Sequence, residues 1–246
     1  MIESGRSLLL KLYTRLERPL LLWNYRVVRS RLAWWPPLRW LISRLFLRPL
    51  SSAGAIGRPM TLDEAKQMAQ RAARAGALAI GPCGCRSVHH GCSHPVRTDV
   101  LIYAGVPAWS ATFPQQYKPA TAAEVVALFE ACRRQDMIQV AWRSGMGGGS
   151  YAICNCCADG CVPLLNRRFD PSYRYEAGAF VATVDMTRCT ACGICTSVCP
   201  FGAAVPASGN VAGCLGCGLC AERCPAGAIE MMRRPASAGS TRTSAG

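Results

Sequence analysis

The spacing of apolar and polar residues predicts two amphipathic helices in the middle of the chain. Thr61 with Glu64, and Thr121 with Glu124, form two capping boxes, in which a hydroxyl and a carboxylate satisfy backbone N–H groups at a helix start. The first helix is expected over about 62–75 and is closed by the glycine that follows. Both helices have an apolar face, so both are expected to pack on a core.

Shorter apolar runs give the other predicted elements. Strands are expected at about 77–80 and 137–142, and a last strand at 228–232 is expected to pair with 180–184. A further helix is predicted over 97–104. The chain is therefore predicted to have an α+β fold.

The N-terminal segment, 1–57, mixes leucine, tryptophan and arginine. Arginines interrupt every apolar run, and no run approaches the ~20 residues that a membrane-spanning helix needs. Apolar residues recur at helical spacing at five positions: Leu9, Leu12, Tyr13, Leu16 and Leu20. Pro19, Pro36 and Pro37 are predicted to break the segment into short helices. We interpret residues 1–57 as a basic amphipathic helical segment that docks on a membrane or a partner.

The net charge of +14 is concentrated in the same segment. Residues 1–50 contain ten Lys or Arg and two acidic residues, which places +8 there. Arg-rich helices that carry Trp bind membrane interfaces, and each basic residue near an anionic leaflet contributes about 1 kcal/mol. Peripheral membrane association through residues 1–50 is the first hypothesis. Packing on a partner or on the protein itself, and an organellar targeting peptide, are the alternatives. No nucleic-acid-binding motif accompanies the charge, so nucleic acid is not an expected partner.

Half of the sixteen cysteines belong to a repeat near the C-terminus, whose second copy lies 25 positions after the first. In the C-x2-C-x2-C-x3-C-P run of bacterial iron–sulfur proteins, three thiolates bind one [4Fe–4S] cluster and the fourth binds the other. The predicted ligand sets are Cys189, Cys192, Cys195 and Cys224, and Cys214, Cys217, Cys220 and Cys199. Gly193 and Gly218 are expected where the backbone must approach closely without a Cβ. A single zinc site would leave four of these thiols over, and disulfides would need an oxidising compartment.

The stretch from about Phe180 to Met232 resembles the bacterial two-cluster ferredoxin family, and all eight ligand positions match. That resemblance implies two antiparallel two-stranded ribbons with short helices, and a role in one-electron transfer.

Seven more cysteines lie in two loops of the middle of the chain: Cys83, Cys85, Cys92, Cys154, Cys156, Cys157 and Cys161. Three interpretations stay open. In the first, four thiolates drawn from both loops hold a third metal centre, most readily an Fe–S cluster. In the second, the same thiolates hold a structural zinc ion. In the third, a thiol here is redox-active or binds substrate, and Arg86 and nearby histidines lower its pKa. Cys132, on the apolar face of a helix, is expected to be buried rather than a ligand.

The sequences around Cys83 (Gly-Pro-Cys-x-Cys-Arg) and Cys156 (Ile-Cys-Asn-Cys-Cys) resemble a broad group of prokaryotic 4Fe–4S binding proteins. In that group a cysteine-rich domain precedes a two-cluster ferredoxin module. The resemblance spans about 58–232. It departs near Cys161, where the group often has one more cysteine, so the number of ligands is left open.

The three histidines, His89, His90 and His94, all flank Cys92, and one of them could replace a thiolate. For each of them, a loop position near solvent is the simpler expectation. The run Gly145–Gly149 lacks the last glycine and the helix of a dinucleotide-binding motif, so it is expected to be a flexible loop that leads to Cys154.

Four regions are predicted: a docking segment at 1–57, a cysteine-rich α+β domain at 58–170, a two-cluster ferredoxin domain at 171–234, and a disordered tail at 235–246. The first functional hypothesis is an electron-transfer protein, or such a subunit of a redox complex. It would relay single electrons to redox partner proteins at the cytoplasmic face of a membrane. The alternative is an oxidoreductase whose active site lies in the middle domain and is fed by the ferredoxin module.

Overall fold

The computed structural model describes residues 2–49, 55–89, 91–145, 148–173, 175–203 and 209–235. The predictions for His90, for residues 146–147 of the glycine-rich loop and for 236–246 of the tail lie outside these ranges.

The N-terminal segment is one long helix followed by a shorter one. Helix α1 spans Ile2–Arg29, and α2 spans Pro36–Ile42 and continues as a π-helical turn, Ser43–Leu47. The prediction that Pro19 ends a helix is wrong, because Pro19 lies inside α1. Pro19 is exposed, so the carbonyl that loses its helical N–H partner can bind water. Packing of α1 along its length on three other helices outweighs the local cost.

The middle of the chain forms a six-stranded antiparallel sheet in the order β1-β5-β6-β3-β2-β4. Its elements in chain order are β1 Ala55–Met60, α3 Leu62–Arg74, β2 Leu78–Gly81, α4 Gly84–Val88, β3 Asp99–Ile102, α5 Gly105–Thr112, β4 Lys118–Pro119, α6 Ala122–Arg134, β5 Ile138–Ser144, β6 Ser150–Cys156 and α7 Val162–Phe169.

Helices cover both faces of this sheet. On one face α3 and α6 pack together, around a core that includes Val100, Phe129 and Ile153. On the other face Leu101 and Val140 pack with α5 and α7, and α1 lies against α4, α5 and α7. Neighbouring strand residues thus enter opposite cores, as the two-residue period of a strand requires.

Both predicted capping boxes are confirmed, at the starts of α3 and α6. The predicted helix over 97–104 is wrong, because Asp99–Ile102 is the strand β3. A short apolar run fits either element, and here β3 pairs with β2 on one side and β6 on the other. Strand β6 was not predicted, so Cys154 and Cys156 lie on a strand rather than in a loop.

The C-terminal module, residues 180–233, carries a small antiparallel sheet in the order β8-β7-β9. Its elements are β7 Phe180–Val184, α8 Ile194–Ser197, β8 Gly209–Asn210, α9 Leu219–Glu222 and β9 Ile229–Arg233. The predicted pairing is confirmed: Val181 lies opposite Met232 and Val184 opposite Ile229. Both parts of the chain that the structure describes thus combine helix and sheet, as predicted.

Candidate metal centres

The two cysteine runs of the C-terminal module have the same local structure. Helices α8 and α9 start at equivalent positions of the repeat, each after a glycine in the left-handed conformation, Gly193 at φ 75° and Gly218 at φ 78°. A Cβ at Gly193 would meet nothing within 4 Å, and at Gly218 the nearest atom would be 3.5 Å away. Glycine is required at both positions for its positive φ, and none of the described protein atoms comes close enough to exclude a Cβ there.

Backbone N–H groups of the module point at cysteine sulfurs. The Ala203 N–H donates to Cys199 Sγ at 3.4 Å, and the Ala228 N–H, at the equivalent position of the second run, donates to Cys224 Sγ at 3.3 Å. The Ala182 N–H donates to Cys214 Sγ at 3.5 Å. Hydrogen bonds to sulfur tune the potentials of iron–sulfur clusters and favour the thiolate, so the donor set fits such a group.

One predicted ligand set lines a common pocket. Cys214, Cys217 and Cys220 meet Cys199 there, although Cys199 belongs to the other run. That grouping is the one that the crossed-ligand interpretation requires. Cys195, of the other set, also borders the pocket.

The two predicted ligand sets differ in exposure. Cys192 is exposed, whereas Cys217 is 7% exposed and packs in the core of the middle domain. Arg133, only 3% exposed, donates from Nη2 to the carbonyl oxygen of Cys217 at 2.7 Å, and its Nε lies 3.2 Å from Glu222 Oε1. Burial raises the pKa of the Cys217 thiol to about 11, although the charge of Arg133 lowers it. Arg133, in the last turn of α6, therefore links the middle domain to the predicted ligand set that contains Cys217, which we call the inner set. The set that contains Cys192 is the outer set.

Five of the seven middle cysteines surround one cavity of about 130 Å³, on the face of the sheet that α1 covers. We call it the five-cysteine cavity: Cys83, Cys85, Cys154, Cys156 and Cys161. The first two come from the start of α4, two come from the same face of β6, and the last precedes α7. The structure thus brings together cysteines of both predicted loops.

Four of these thiols form a hydrogen-bonded chain. Side-chain hydrogen bonds join Cys83 to Cys85, Cys85 to Cys161, and Cys161 to Cys156. Within this chain one hydrogen bond to each of Cys83, Cys85 and Cys161 raises its pKa well above the ordinary value, and burial adds to the rise. The hydrogen bond with Cys161 lowers the pKa of Cys156, but burial and the other thiols raise it to about 12. A metal held here must displace these protons, since thiolates are the ligands.

A buried cation lies beside the cavity. Arg86 is 4% exposed. It donates from Nη2 to the Asn155 carbonyl oxygen at 3.1 Å and from Nη1 to Cys157 Sγ at 3.5 Å. Its Nε has no hydrogen-bond partner among the described residues. The charges of Cys83 and Cys157 raise the pKa of Arg86 against the effect of burial. A buried guanidinium is costly unless negative charge faces it, and thiolates bound to a metal supply such charge.

Helix α1 closes the cavity with polar groups that sequence reasoning missed. Glu17 Oε2 accepts a hydrogen bond from Trp109 Nε1 at 3.0 Å, and Tyr13 meets the Trp109 ring edge-on at 6.1 Å. Burial and the charge of Asp99 raise the pKa of Glu17 to about 7. The signal was present, because Glu17 is one of two acidic residues in a strongly basic segment and lies one helical turn from Tyr13.

A second carboxyl group, Asp99 on β3, also faces the cavity. Its Oδ1 accepts from Cys154 Sγ at 3.0 Å and its Oδ2 from the Tyr117 hydroxyl at 3.3 Å. Burial raises the pKa of Asp99 to about 6, although both hydrogen bonds lower it. Cys154 is thereby engaged by a carboxylate, which separates it from the chain of four thiols.

Cys92 and Cys157 lie away from the five-cysteine cavity, with His94. His89 is buried instead of near solvent: it stacks on Tyr25 at 3.9 Å, and both of its ring nitrogens have backbone partners. It is therefore a structural residue. Cys132 is buried, as expected.

Comparison with known proteins identifies one part of the chain. The 4Fe-4S binding domain (Fer4) family matches residues 182–205 and 210–230, which hold all eight repeat cysteines. No curated protein and no solved structure matches the chain. The module is thus of ferredoxin type and binds iron–sulfur, as its sequence predicts. No helix in the described ranges is long and apolar enough to cross a membrane.

Proposed function

We propose that the protein relays single electrons through two [4Fe–4S] clusters in the C-terminal module and a third centre in the five-cysteine cavity. The 4Fe-4S domain match supports the electron-transfer role. Bound clusters would supply reversible one-electron chemistry, while the chain sets burial, hydrogen bonds to sulfur and local charge.

The observation that carries the proposal is the unequal exposure of the two ligand sets. The outer set, with exposed Cys192, is accessible to a redox partner protein. The inner set, with buried Cys217, faces the middle domain through Arg133. Electrons would therefore pass between the partner protein and the outer set, then between the outer and inner sets, and then between the inner set and the middle domain. The match covers only the ferredoxin-type module, and nothing favours a stand-alone oxidoreductase over a relay.

For the third centre we propose Cys83, Cys85, Cys156 and Cys161 as ligands. These four thiols already contact one another in a chain, and Cys154 is held by Asp99. The buried charge of Arg86 supports an anionic thiolate centre. A closed set of four thiolates suits an iron–sulfur cluster or zinc, so metal analysis must separate the two.

The first test is iron, acid-labile sulfide and zinc per chain on anaerobically purified protein. About twelve irons are expected for three cubes, and about eight for the C-terminal module alone. Cys161→Ser should remove about four irons, and Cys132→Ser, a buried cysteine outside the cavity, should remove none. Eight irons in wild type and in Cys161→Ser would contradict a third cluster. Fewer than eight in wild type would contradict the two-cluster relay itself.

We further propose that α1 and α2 dock the protein on an anionic membrane, at the cytoplasmic face. One side of α1 leaves a row of apolar side chains exposed: Leu12, Leu16, Leu20 and Trp23. Trp35 and Trp40, in the segment that follows α1, are each 60% exposed. Exposed arginines flank the row, among them Arg15, Arg26 and Arg44. Apolar side chains and basic flanks together are what an interfacial helix presents to lipid.

Sedimentation with vesicles tests the docking. Full-length protein should bind vesicles that contain anionic lipid and bind purely zwitterionic ones far less. Leu16→Glu with Leu20→Glu should abolish binding. Met186→Glu with Met232→Glu is the matched control, since both methionines are exposed apolar residues of the C-terminal module. Equal binding by both double variants would contradict docking through α1.

A further inference from the structure

We propose that Cys92, Cys157 and His94 bind a single zinc ion, in a site separate from the five-cysteine cavity. The sequence groups both cysteines with the other five, but the structure divides the seven into two groups. Ligand atoms of these three residues all lie within 4.8 Å of one another. The two sulfurs are 3.6 Å apart. Zn–S bonds of ≈ 2.3 Å in tetrahedral geometry put two sulfurs about 3.8 Å apart, so little movement is needed.

The division follows from the strand that carries the second loop. Cys154 and Cys156 lie on the same side of β6 and face the cavity, whereas Cys157 is the next residue and points to the other side. Cys157 is 1% exposed and packs beside Cys132, Met137 and Cys92. The loop after α4 brings Cys92 to that side.

His94 is oriented as a metal ligand. Its Nε2 lies 3.2 Å from the Gln135 carbonyl oxygen, so Nε2 carries the proton and donates it. The Nδ1 atom is then a lone-pair donor, and it is buried without a partner among the described residues. Metal-binding histidines almost always donate their second ring N–H to a carbonyl or carboxylate in this way.

N–H donors contact both sulfurs of the site. Arg86 Nη1 donates to Cys157 Sγ at 3.5 Å, and the backbone N–H of His94 donates to Cys92 Sγ. Zinc would then replace the thiol protons, with the cation of Arg86 balancing part of the negative charge. Gly160 leaves room for the site, since a Cβ there would lie 2.6 Å from Cys92 Sγ.

Within the described ranges three side chains form this group. Cys92 and His94 are half-buried, so the fourth position of the ion is open to water or a small ligand. Two thiolates, one imidazole and an open position form the donor set of catalytic rather than closed structural zinc sites. The site therefore has the chemistry to polarise a bound water or carbonyl oxygen.

The test is zinc per chain in full-length protein loaded with zinc chloride and then desalted. Wild type and Cys132→Ser should each retain about one zinc, while Cys92→Ser and His94→Ala should retain at least about tenfold less. Iron content should be the same in all four proteins. Cobalt in place of zinc should give sulfur-to-cobalt absorption in wild type that Cys92→Ser loses.

Two results would overturn the zinc site. In one, wild type retains no zinc after loading, with or without a Cys92–Cys157 disulfide in mass spectra of air-exposed protein. In the other, Cys92→Ser loses about four irons, which would make Cys92 a cluster ligand. Iron unchanged and zinc lost supports the site whether the chain holds two clusters or three. His94→Cys, which keeps three ligands, should restore zinc if His94→Ala fails to fold.

Discussion

The C-terminal module and the five-cysteine cavity both gather cysteines, but they surround them differently. In the module the thiols lie on short loops and in the one-turn helices α8 and α9, and Cys192 reaches solvent. In the cavity the thiols lie beneath α1 and against the large sheet, among Trp109, Trp142 and Tyr151. Exposure suits exchange of electrons with a partner protein, whereas buried thiols suit a centre with limited solvent access.

The two regions also differ in how their negative charge is balanced. The module offers backbone N–H groups to sulfur and has its buried cation, Arg133, only at the border with the middle domain. The cavity has a buried guanidinium, Arg86, and two carboxyl groups, Glu17 and Asp99, with raised pKa values. Ionisable groups are thus concentrated where solvent is least present, and such concentrations are typical of functional sites.

The largest expected effect is on the stability of the protein, and it should differ between substitutions in the two proposed ligand sets of the module. Cys217→Ser should remove about four irons and lower the free energy of unfolding by several kcal/mol, because Cys217 also packs in the core of the middle domain. Cys192→Ser should remove a similar amount of iron with a much smaller change in the melting temperature of the middle domain, since Cys192 is exposed. Equal destabilisation by both substitutions would contradict the asymmetry.

The next effect is expected at Arg133, where the C-terminal module contacts the middle domain. Arg133→Met leaves the Cys217 carbonyl oxygen without its charged donor, so the free energy of unfolding should fall by about 2–3 kcal/mol. Loss of this cation should also lower the reduction potential of one cluster only, the inner one, in an EPR-monitored titration. Arg134→Met, at the exposed neighbouring position, is the control. Two clusters shifting equally would show that Arg133 does not distinguish them.

A pH effect probes the cavity. The pKa of Glu17 rises from 4.5 to about 7 on folding, so the folded state binds its proton more tightly. The resulting stability is complete below pH 4.5 and is lost as pH rises through 7. Glu17→Gln should therefore match wild type near pH 4.5 and exceed it by about 3 kcal/mol at pH 8. Chemical denaturation across this range measures it, with Asp63→Asn, at an exposed carboxyl, as control.

How much the sequence predicts also differs between the two regions. The module's ligands are adjacent in the chain, so a local spacing rule predicts their grouping, and the strand pairing at its ends is confirmed. The cavity draws residues from α1, α4, β3, β6 and α7, and its members meet only through the order of the sheet. The local pattern predicts a helix at Asp99 and a surface segment at Glu17, because it does not show which strand lies beside which. The strand period would have separated Cys156 from Cys157 had β6 been predicted.

Two substitutions at equivalent positions test the repeat itself, and the second of them, Ala191→Gly, has the smallest expected effect. Ala191 and Gly216 occupy equivalent positions of the two cysteine runs, both with positive φ, at 54° and 86°. A Cβ on Gly216 would lie 2.4 Å from the Phe180 carbonyl oxygen, so Gly216→Ala is expected to destabilise the module by about 2 kcal/mol or more. Ala191→Gly removes the strain of a left-handed alanine, which stabilises the folded state by about 1–2 kcal/mol. Glycine also has more conformational freedom in the unfolded chain, which lowers the free energy of unfolding by about 0.5–1 kcal/mol. A net gain of about 0.5 kcal/mol should appear as a slightly higher melting temperature with unchanged iron. Loss of iron in Ala191→Gly would mean that the alanine methyl group itself supports the outer ligand set, and that the two halves of the repeat differ in more than exposure.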